Sequence, residues 1–149
     1  MSNRNSSRVF KRVRLILGCC GKLCLLSFAF ALSLGTVYAG EAEVVRAVFQ
    51  QRGAGDWYVS TTLRHADTGW KHYADAWRVV DEKGAVLGLR TLYHPHVDEQ
   101  PFTRSLSLRI PQGVDVVFVE AQDSVHGWNA QRIRVDLTKA KGEGFEVRR

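Results

Sequence analysis

The sequence predicts an all-β protein whose folded part is an immunoglobulin-like or fibronectin-III-like antiparallel β-sandwich of about seven strands. Short segments alternate between apolar and polar residues or are rich in β-branched residues, and both patterns are typical of strands. Turn-forming residues separate these segments at intervals of roughly 8–12 residues. No window keeps its apolar residues at the helical period of about 3.6 residues.

The first element is a leader over residues 1–39, which carries six Lys or Arg residues and no Asp or Glu. Its apolar stretch, residues 23–34, is too short to span comfortably a hydrocarbon core about 30 Å thick. The small-residue pattern Val37-Tyr38-Ala39 then fits a cleavage site, with Gly40 as the first mature residue. These features predict a cleavable signal peptide, a periplasmic or fully secreted protein, and no membrane span after cleavage.

Two other interpretations of the leader stay open. An uncleaved signal anchor would extend the apolar stretch back over residues 15–21, but Lys22 interrupts it. A lipoprotein signal would use Cys19, but Arg12 and Arg14 stand where apolar residues should precede such a cysteine. The cleavable signal peptide fits the pattern best.

Charge and cysteine content exclude several function classes. Residues 40–149 carry 15 cationic and 15 anionic side chains, so no net positive field favours nucleic acid. Because all cysteines lie in the leader, the mature domain has no disulfide, cysteine nucleophile or cysteine-bound metal. No motif indicates a nucleotide or an organic cofactor. The three cysteines are Cys19, Cys20 and Cys24.

Seven segments are predicted as strands of one domain over residues 40–137. The second shows the alternation plainly at Trp57 and Val59, and the fifth shows it at Leu106 and Leu108. This alternation indicates one face on a core and the other toward solvent. In chain order, the predicted strands cover residues 44–50, 57–64, 76–81, 86–92, 104–110, 115–121 and 131–137.

The segment after the seventh strand, residues 138–149, is rich in lysine and glycine. This composition predicts a flexible C-terminal tail. Phe145 and Val147 could alternatively dock as an edge strand, because they stand two residues apart.

The connections between strands differ in length. Consecutive antiparallel strands reverse direction, so their connections alternate between the two ends of a sandwich. The short turns then share one end, and the long loops over residues 65–75, 93–103 and 122–130 share the other. Long loops on a rigid sandwich often carry its binding function. All five histidines lie in these loops: His65, His72, His94, His96 and His126.

The strongest local signal is His94-Pro95-His96, with Glu99 three residues further on. Proline favours extended backbone before it, and side chains two apart on an extended chain point the same way. His94 and His96 could therefore supply two nitrogen ligands to copper or zinc. A surface turn is the alternative interpretation. The predicted further ligands are His65, His72, His126 and Glu99.

The triplet Asp67-Thr68-Gly69 is interpreted as an Asx-type turn in which Gly69 takes a positive φ and orients Trp70 and His72. The same triplet occurs in aspartic proteases. Those enzymes need a second facing carboxylate in a much longer, two-lobed chain, so the turn is the preferred interpretation.

Loop aromatic residues favour a different use of the same end. Large aromatic side chains and arginine commonly anchor protein, peptide or glycan partners, here a partner of the cell envelope. Arg104 could also bind a carboxylate on a ligand, although a salt bridge to Glu99 or Asp98 is the simpler role. The candidate partner-binding residues are Trp70, Tyr73, Tyr93, Phe102, Trp128 and Arg104.

Two blocks, residues 65–75 (His-Ala-Asp-Thr-Gly-Trp-Lys-His-Tyr-Ala-Asp) and residues 94–105 (His-Pro-His-Val-Asp-Glu-Gln-Pro-Phe-Thr-Arg-Ser), resemble a group of small exported bacterial proteins without assigned activity. The resemblance covers most of residues 57–128. It implies export to a bacterial cell envelope, and it transfers neither catalytic residues nor a substrate.

The sequence therefore favours a small periplasmic binding protein that holds copper or zinc for storage, delivery or sensing. The alternative is an immunoglobulin-like interaction module that binds a protein, peptide or glycan through its loop aromatics. An enzyme, either a metal-dependent hydrolase or an oxidoreductase with Glu99 as base, is the least favoured class. A domain this small, with its candidate groups on loops, encloses little volume for a substrate.

Overall fold

The computed structural model describes residues 40–149, and every regular element among them is a β-strand. The predicted all-β class is confirmed, and the immunoglobulin-like class stays a prediction. The predicted signal peptide, residues 1–39, lies outside the described residues. Within residues 40–149, no helix has the length and apolar character needed to cross a membrane.

Ten strands make up the described part of the chain. Each of the seven predicted strands overlaps one of them, with ends displaced by at most two residues. In chain order they are β1 (Glu43–Gln51), β2 (Asp56–Arg64), β3 (Ala74–Asp81), β4 (Val86–Thr91), β5 (Phe102–Arg109), β6 (Val116–Asp123), β7 (Gly127–Trp128), β8 (Ile133–Asp136), β9 (Lys141–Gly142) and β10 (Phe145–Arg148).

The strands form two sheets around one core. The first sheet has the order β5-β2-β1-β10-β9, and the second has β4-β3-β6-β7 with β8 also paired to β6. All pairs are antiparallel except β1 with β10. Phe49 and Val59 of the first sheet lie in one buried cluster with Trp77 and Val119 of the second. Burial of each large apolar side chain contributes roughly 1.5–3 kcal/mol, so this core holds the domain without a disulfide.

The C-terminal segment, residues 138–149, differs from the expected flexible tail. It forms β9 and β10, and β10 pairs in parallel with β1. Phe145 and Val147 are buried, while Glu146 between them forms an ion pair with Arg46 of β1 at 2.6 Å. The edge-strand alternative was therefore the better interpretation. The glycines and lysines of this segment suggest a tail, but β1 provides backbone hydrogen-bond partners for β10.

Three long connections meet at one end of the molecule. The backbone N–H of His96 donates to Asp67 at 2.6 Å, and that of Ser124 donates to the carbonyl of Tyr73 at 3.0 Å. These contacts join all three connections and bring the five histidines into one region. The three connections, residues 65–73, 92–101 and 124–126, are together called the loop end below.

Candidate metal-binding site

Two histidines and one carboxylate converge where the loop end meets the end of β6. His65, His72 and Asp123 each offer a ligand atom, and these atoms lie within 4.8 Å of one another. Among residues 40–149, this is the one group of at least three such side chains that the structure brings together. The ring of His126 packs against that of His72, with centroids 5.1 Å apart, so a third imidazole borders the group.

The strands and one tight turn place these side chains. His65 directly follows β2, and Asp123 is the last residue of β6. His72 closes a turn in which its N–H donates to the carbonyl of Gly69 at 3.1 Å. Gly69 has the expected positive φ, 113°. The Asp67 carboxylate, however, accepts its hydrogen bonds from His65, Ala74 and His96 and none from within the turn. The predicted Asx-type cap is therefore wrong, although a turn with a positive φ at Gly69 does form.

Asp67 orients His65. A carboxylate only accepts hydrogen bonds, so Nδ1–H of His65 donates to Oδ1 of Asp67, at 2.5 Å. The same carboxylate accepts the backbone N–H of Ala74 at 3.1 Å and that of His96 at 2.6 Å. This bonding fixes the ring and leaves Nε2 as the available ligand atom. A carboxylate behind a ligating histidine is the usual support in metal sites.

Asp123 is a buried carboxylate with one oxygen in use and one free. Oδ1 accepts the backbone N–H groups of Val125 and His126, at 2.9 and 2.8 Å. Burial opposes its ionisation, but these two backbone bonds and the His126 ring hold the pKa of Asp123 below its ordinary value. Oδ2 is buried and has no hydrogen-bond partner. The site therefore contains a negative charge with an unused ligand atom.

The carbonyl oxygen of Gly40 completes the convergence. It lies 3.1 Å from Nε2 of both His65 and His72, and Nε2 of His72 also lies 3.3 Å from Oδ1 of Asp123. A carbonyl oxygen only accepts, so the ring nitrogen is the donor in each of these two hydrogen bonds. Metal binding releases the protons of its ligands. A cation bound by the two rings would therefore replace those protons and would lie beside the Gly40 oxygen and the Asp123 carboxylate.

His94, His96 and Glu99 lie outside this group. The His96 ring stacks on Phe102, with centroids 3.8 Å apart and planes inclined by 11°, and neither of its nitrogens has a hydrogen-bond partner. Burial, and then the charge of Arg104, lower the pKa of His96 and favour the neutral ring. Glu99 binds Arg104 at 2.9 and 3.2 Å. This is the salt bridge expected as the simpler role of that arginine.

The leading pair of predicted ligands, His94 and His96, therefore lies outside the convergent group. The rings of His94 and His96 lie 4.6 Å apart and are tilted by 38°. His96 is buried against Phe102, while His94 is exposed. His96 contributes to the group through its backbone N–H, which positions Asp67.

The predicted aromatic anchors occupy different environments. Trp70 and Tyr93 are 70% and 76% exposed, and Tyr73 packs edge-on against Trp70 with centroids 6.0 Å apart. Trp128 is half-buried beneath an arginine of β3. Phe102 is only 1% exposed and belongs to the core. The prediction that Phe102 contacts a partner is therefore wrong, because this first residue of β5 faces inward.

Asp67, Asp123 and Gly40 were not singled out as site residues from the sequence. Asp123 ends an apolar strand three residues before a histidine, and this spacing could have indicated a capped turn beside an imidazole. Gly40 has no local signal, because the histidines that contact its carbonyl lie 25 and 32 residues away in the chain.

Comparison with known proteins finds one informative relative. No protein-family model and no solved structure matches the chain. A protein of Halomicrobium mukohataei named "Putative lipoprotein" is 41% identical over 110 residues. The match covers 71% of this chain and 54% of that protein, so the chain spans about half the length of the relative it matches. The relative's name agrees with the export predicted from the leader.

Proposed function

We propose that this chain is a small exported binding protein that holds one transition-metal ion, zinc or copper, for storage, delivery or sensing. The observation that carries the proposal is the convergence of His65, His72 and Asp123 to within 4.8 Å. His126 donates from its ring to Asp123 at 3.0 Å and is available as a further ligand.

The charge balance of the site supports a bound cation. Against the opposing effect of burial, backbone N–H groups and the His126 ring lower the pKa of Asp123, and a buried carboxylate charge is costly unless it is paired. Its Oδ2 has no partner, and no Lys or Arg side chain forms an ion pair with it among the described residues. A metal ion bound to the Asp123 carboxylate would supply the missing charge.

The donor types favour zinc or copper over other ions. Calcium and magnesium prefer sets made of oxygen ligands, whereas two imidazole nitrogens and a carboxylate oxygen suit zinc or copper. Asp67 supports His65 as carboxylates support ligating histidines in zinc sites. We therefore assign His65, His72 and Asp123 as ligands, in place of the His94 and His96 pair.

The proposed location is the cell envelope, in the periplasm or beyond it. The basic and apolar pattern of residues 1–39 supports export, and so does the name of the Halomicrobium mukohataei relative. Residues 40–149 contain no cysteine, so no thiolate in this part of the chain competes with the histidine site for the metal.

The test is metal analysis of the exported protein, purified without a tag or chelator and measured by inductively coupled plasma mass spectrometry. We expect one equivalent of zinc or copper in the wild type. His72→Ala and Asp123→Asn should lose the metal while retaining β-rich circular dichroism. The matched control, His94→Ala, removes an exposed histidine outside the group and should retain it.

Two results would contradict the proposal. One is a protein that contains neither metal and takes up neither when they are added. The other is loss of metal in a His94→Ala, His96→Ala double variant that is folded, together with full binding in His72→Ala.

Exposed aromatic side chains favour a second candidate function, the docking of a cell-envelope protein, peptide or glycan. Trp70 and Tyr93 expose most of their surface beside His94, and exposed aromatic residues often anchor partners. Partner capture that persists with chelator and is lost in Trp70→Ala would support this function. Capture that is unchanged in both Trp70→Ala and Tyr93→Ala would count against it.

A further inference from the structure

Gly40 contacts three of the five histidines. Its carbonyl oxygen lies 3.1 Å from the rings of both His65 and His72. A Cβ at residue 40 would lie 2.9 Å from Cε1 of His126, so the His126 ring packs directly against the Cα of Gly40. Only glycine leaves room for this ring without a shift of the side chain.

Gly40 is also the residue that follows the predicted signal-peptide cleavage site. The leader pattern predicts cleavage after Ala39, which makes Gly40 the first residue of the processed protein. Its nitrogen would then be a free α-amine rather than an amide. That nitrogen is bonded to the same Cα on which His126 packs, about 1.5 Å away. Export would thus place a new nitrogen donor beside the histidine group.

We propose that Gly40 of the processed protein is itself a metal ligand, through its α-amine nitrogen and its carbonyl oxygen. This inference rests on the proposed metal-binding function and deepens it. The two atoms belong to one residue and can close a five-membered chelate ring on one ion. Together with the imidazoles of His65 and His72 and the carboxylate of Asp123 they form a set of three nitrogen and two oxygen donors, which suits copper(II) or zinc.

A consequence for regulation follows from this ligand set. In the unprocessed chain, the nitrogen of Gly40 is an amide bonded to Ala39 and is a far poorer donor than an amine. The complete site therefore forms only after cleavage, which occurs outside the cytoplasm. Processing then strengthens metal binding at the site, and the precursor binds the metal more weakly than the exported protein.

The test compares two exported proteins that differ at the N-terminus. One is the wild type, and the other carries Ser-Ser inserted between Ala39 and Gly40. The insertion keeps Val37-Tyr38-Ala39 intact and moves the free amine two residues away from the site. Intact mass verifies each N-terminus, circular dichroism verifies the fold, and titration with copper(II) and zinc measures affinity.

A direct measurement on the wild type needs no variant. The protein is labelled with ¹⁵N-glycine, loaded with one equivalent of copper(II), and studied by pulsed electron paramagnetic resonance. Gly40 carries the sole amine among the glycines of the processed chain, because the others are amides. We expect the ¹⁵N coupling of a directly bonded nitrogen, and at least about tenfold weaker metal affinity in the Ser-Ser protein.

The outcomes separate this inference from the proposed function. Equal affinity in both proteins, with no directly bonded ¹⁵N, would overturn the role of Gly40 and leave the histidine site standing. A mature N-terminus at another residue would overturn it as well. Failure of both proteins to bind metal would overturn the proposed function itself.

Discussion

Asp81 and Asp123 occupy equivalent positions at opposite ends of the second sheet. Each is the last residue of its strand, β3 or β6. In each case Oδ1 accepts hydrogen bonds from two backbone N–H groups of the turn that follows. Both bonds are 2.8 Å long at Asp81, and they are 2.9 and 2.8 Å long at Asp123. The same carboxylate cap therefore closes the turn at both ends.

The surroundings of the two carboxylates differ. The Asp81 turn is short and largely exposed, so water can solvate the carboxylate and capping is its whole role. The Asp123 side chain is fully buried, with His72 and His126 in contact. The comparison shows that burial and neighbouring imidazoles give a common turn cap the surroundings of a candidate metal ligand.

The largest expected difference between the two ends comes from removing each carboxylate. Asp123→Ala should abolish stoichiometric metal binding and lower the free energy of unfolding by about 1–3 kcal/mol, because two partly buried backbone donors lose their acceptor. Asp81→Ala should leave metal content unchanged and cost about 0.5–1.5 kcal/mol. Elemental analysis and urea unfolding measure both quantities. Equal metal loss in the two variants would remove the distinction between the ends.

Metal binding should stabilise the protein through the Asp123 end alone. Zinc or copper at about 100 times its dissociation constant should raise the free energy of unfolding by about 2.7 kcal/mol, since the metal binds the folded state. Chelator should reverse this gain. The gain should persist in Asp81→Asn and vanish in Asp123→Asn, as followed by denaturant unfolding. A gain that survives Asp123→Asn would place the metal elsewhere.

Support of His65 by Asp67 should have a smaller effect. Asp67→Asn keeps the shape of the side chain but removes the charge behind the imidazole, so metal affinity should fall roughly 10–100-fold while the stoichiometry at saturation is unchanged. Calorimetric titration measures the change. Asp136→Asn is the matched control, because Asp136 caps Thr138 at the end of β8. A similar loss of affinity in that control would argue against a specific role of Asp67.

The smallest expected effect concerns His96, the buried histidine outside the group. Burial lowers its pKa in the folded protein, so the unfolded chain binds the proton more readily. The metal-free protein should therefore lose stability as the pH falls below the ordinary histidine pKa of about 6.5. His96→Leu should flatten this part of the pH profile of unfolding, and an unchanged profile would contradict the assignment.

The strands were largely predictable because their signals are local. In β2, Trp57 and Val59 alternate with polar neighbours, and the structure buries both. Antiparallel order then predicted a loop end with all five histidines, and hydrogen bonds join those loops. The short β10 was interpreted as a tail, since its main partner, β1, lies about a hundred residues earlier in the chain.

The composition of the site was less predictable. The His94-Pro95-His96 segment drew attention because two histidines lie close in sequence, yet the stacking of His96 on Phe102 takes one ring into the interior. The group that converges has members far apart in the chain, and Gly40 joins it through a backbone carbonyl that no side-chain pattern can indicate.

The sequence by itself determined the all-β class, the positions of seven strands and the gathering of histidines in three long loops. Alternation and turn residues act over a few residues, so a single segment carries enough information. Only the tertiary structure decided that His65 and His72 meet Asp123. His65 follows a strand of the first sheet and Asp123 ends a strand of the second. Their approach depends on strand register and on packing of the two sheets across the core, where a shift of one residue turns a side chain to the opposite face.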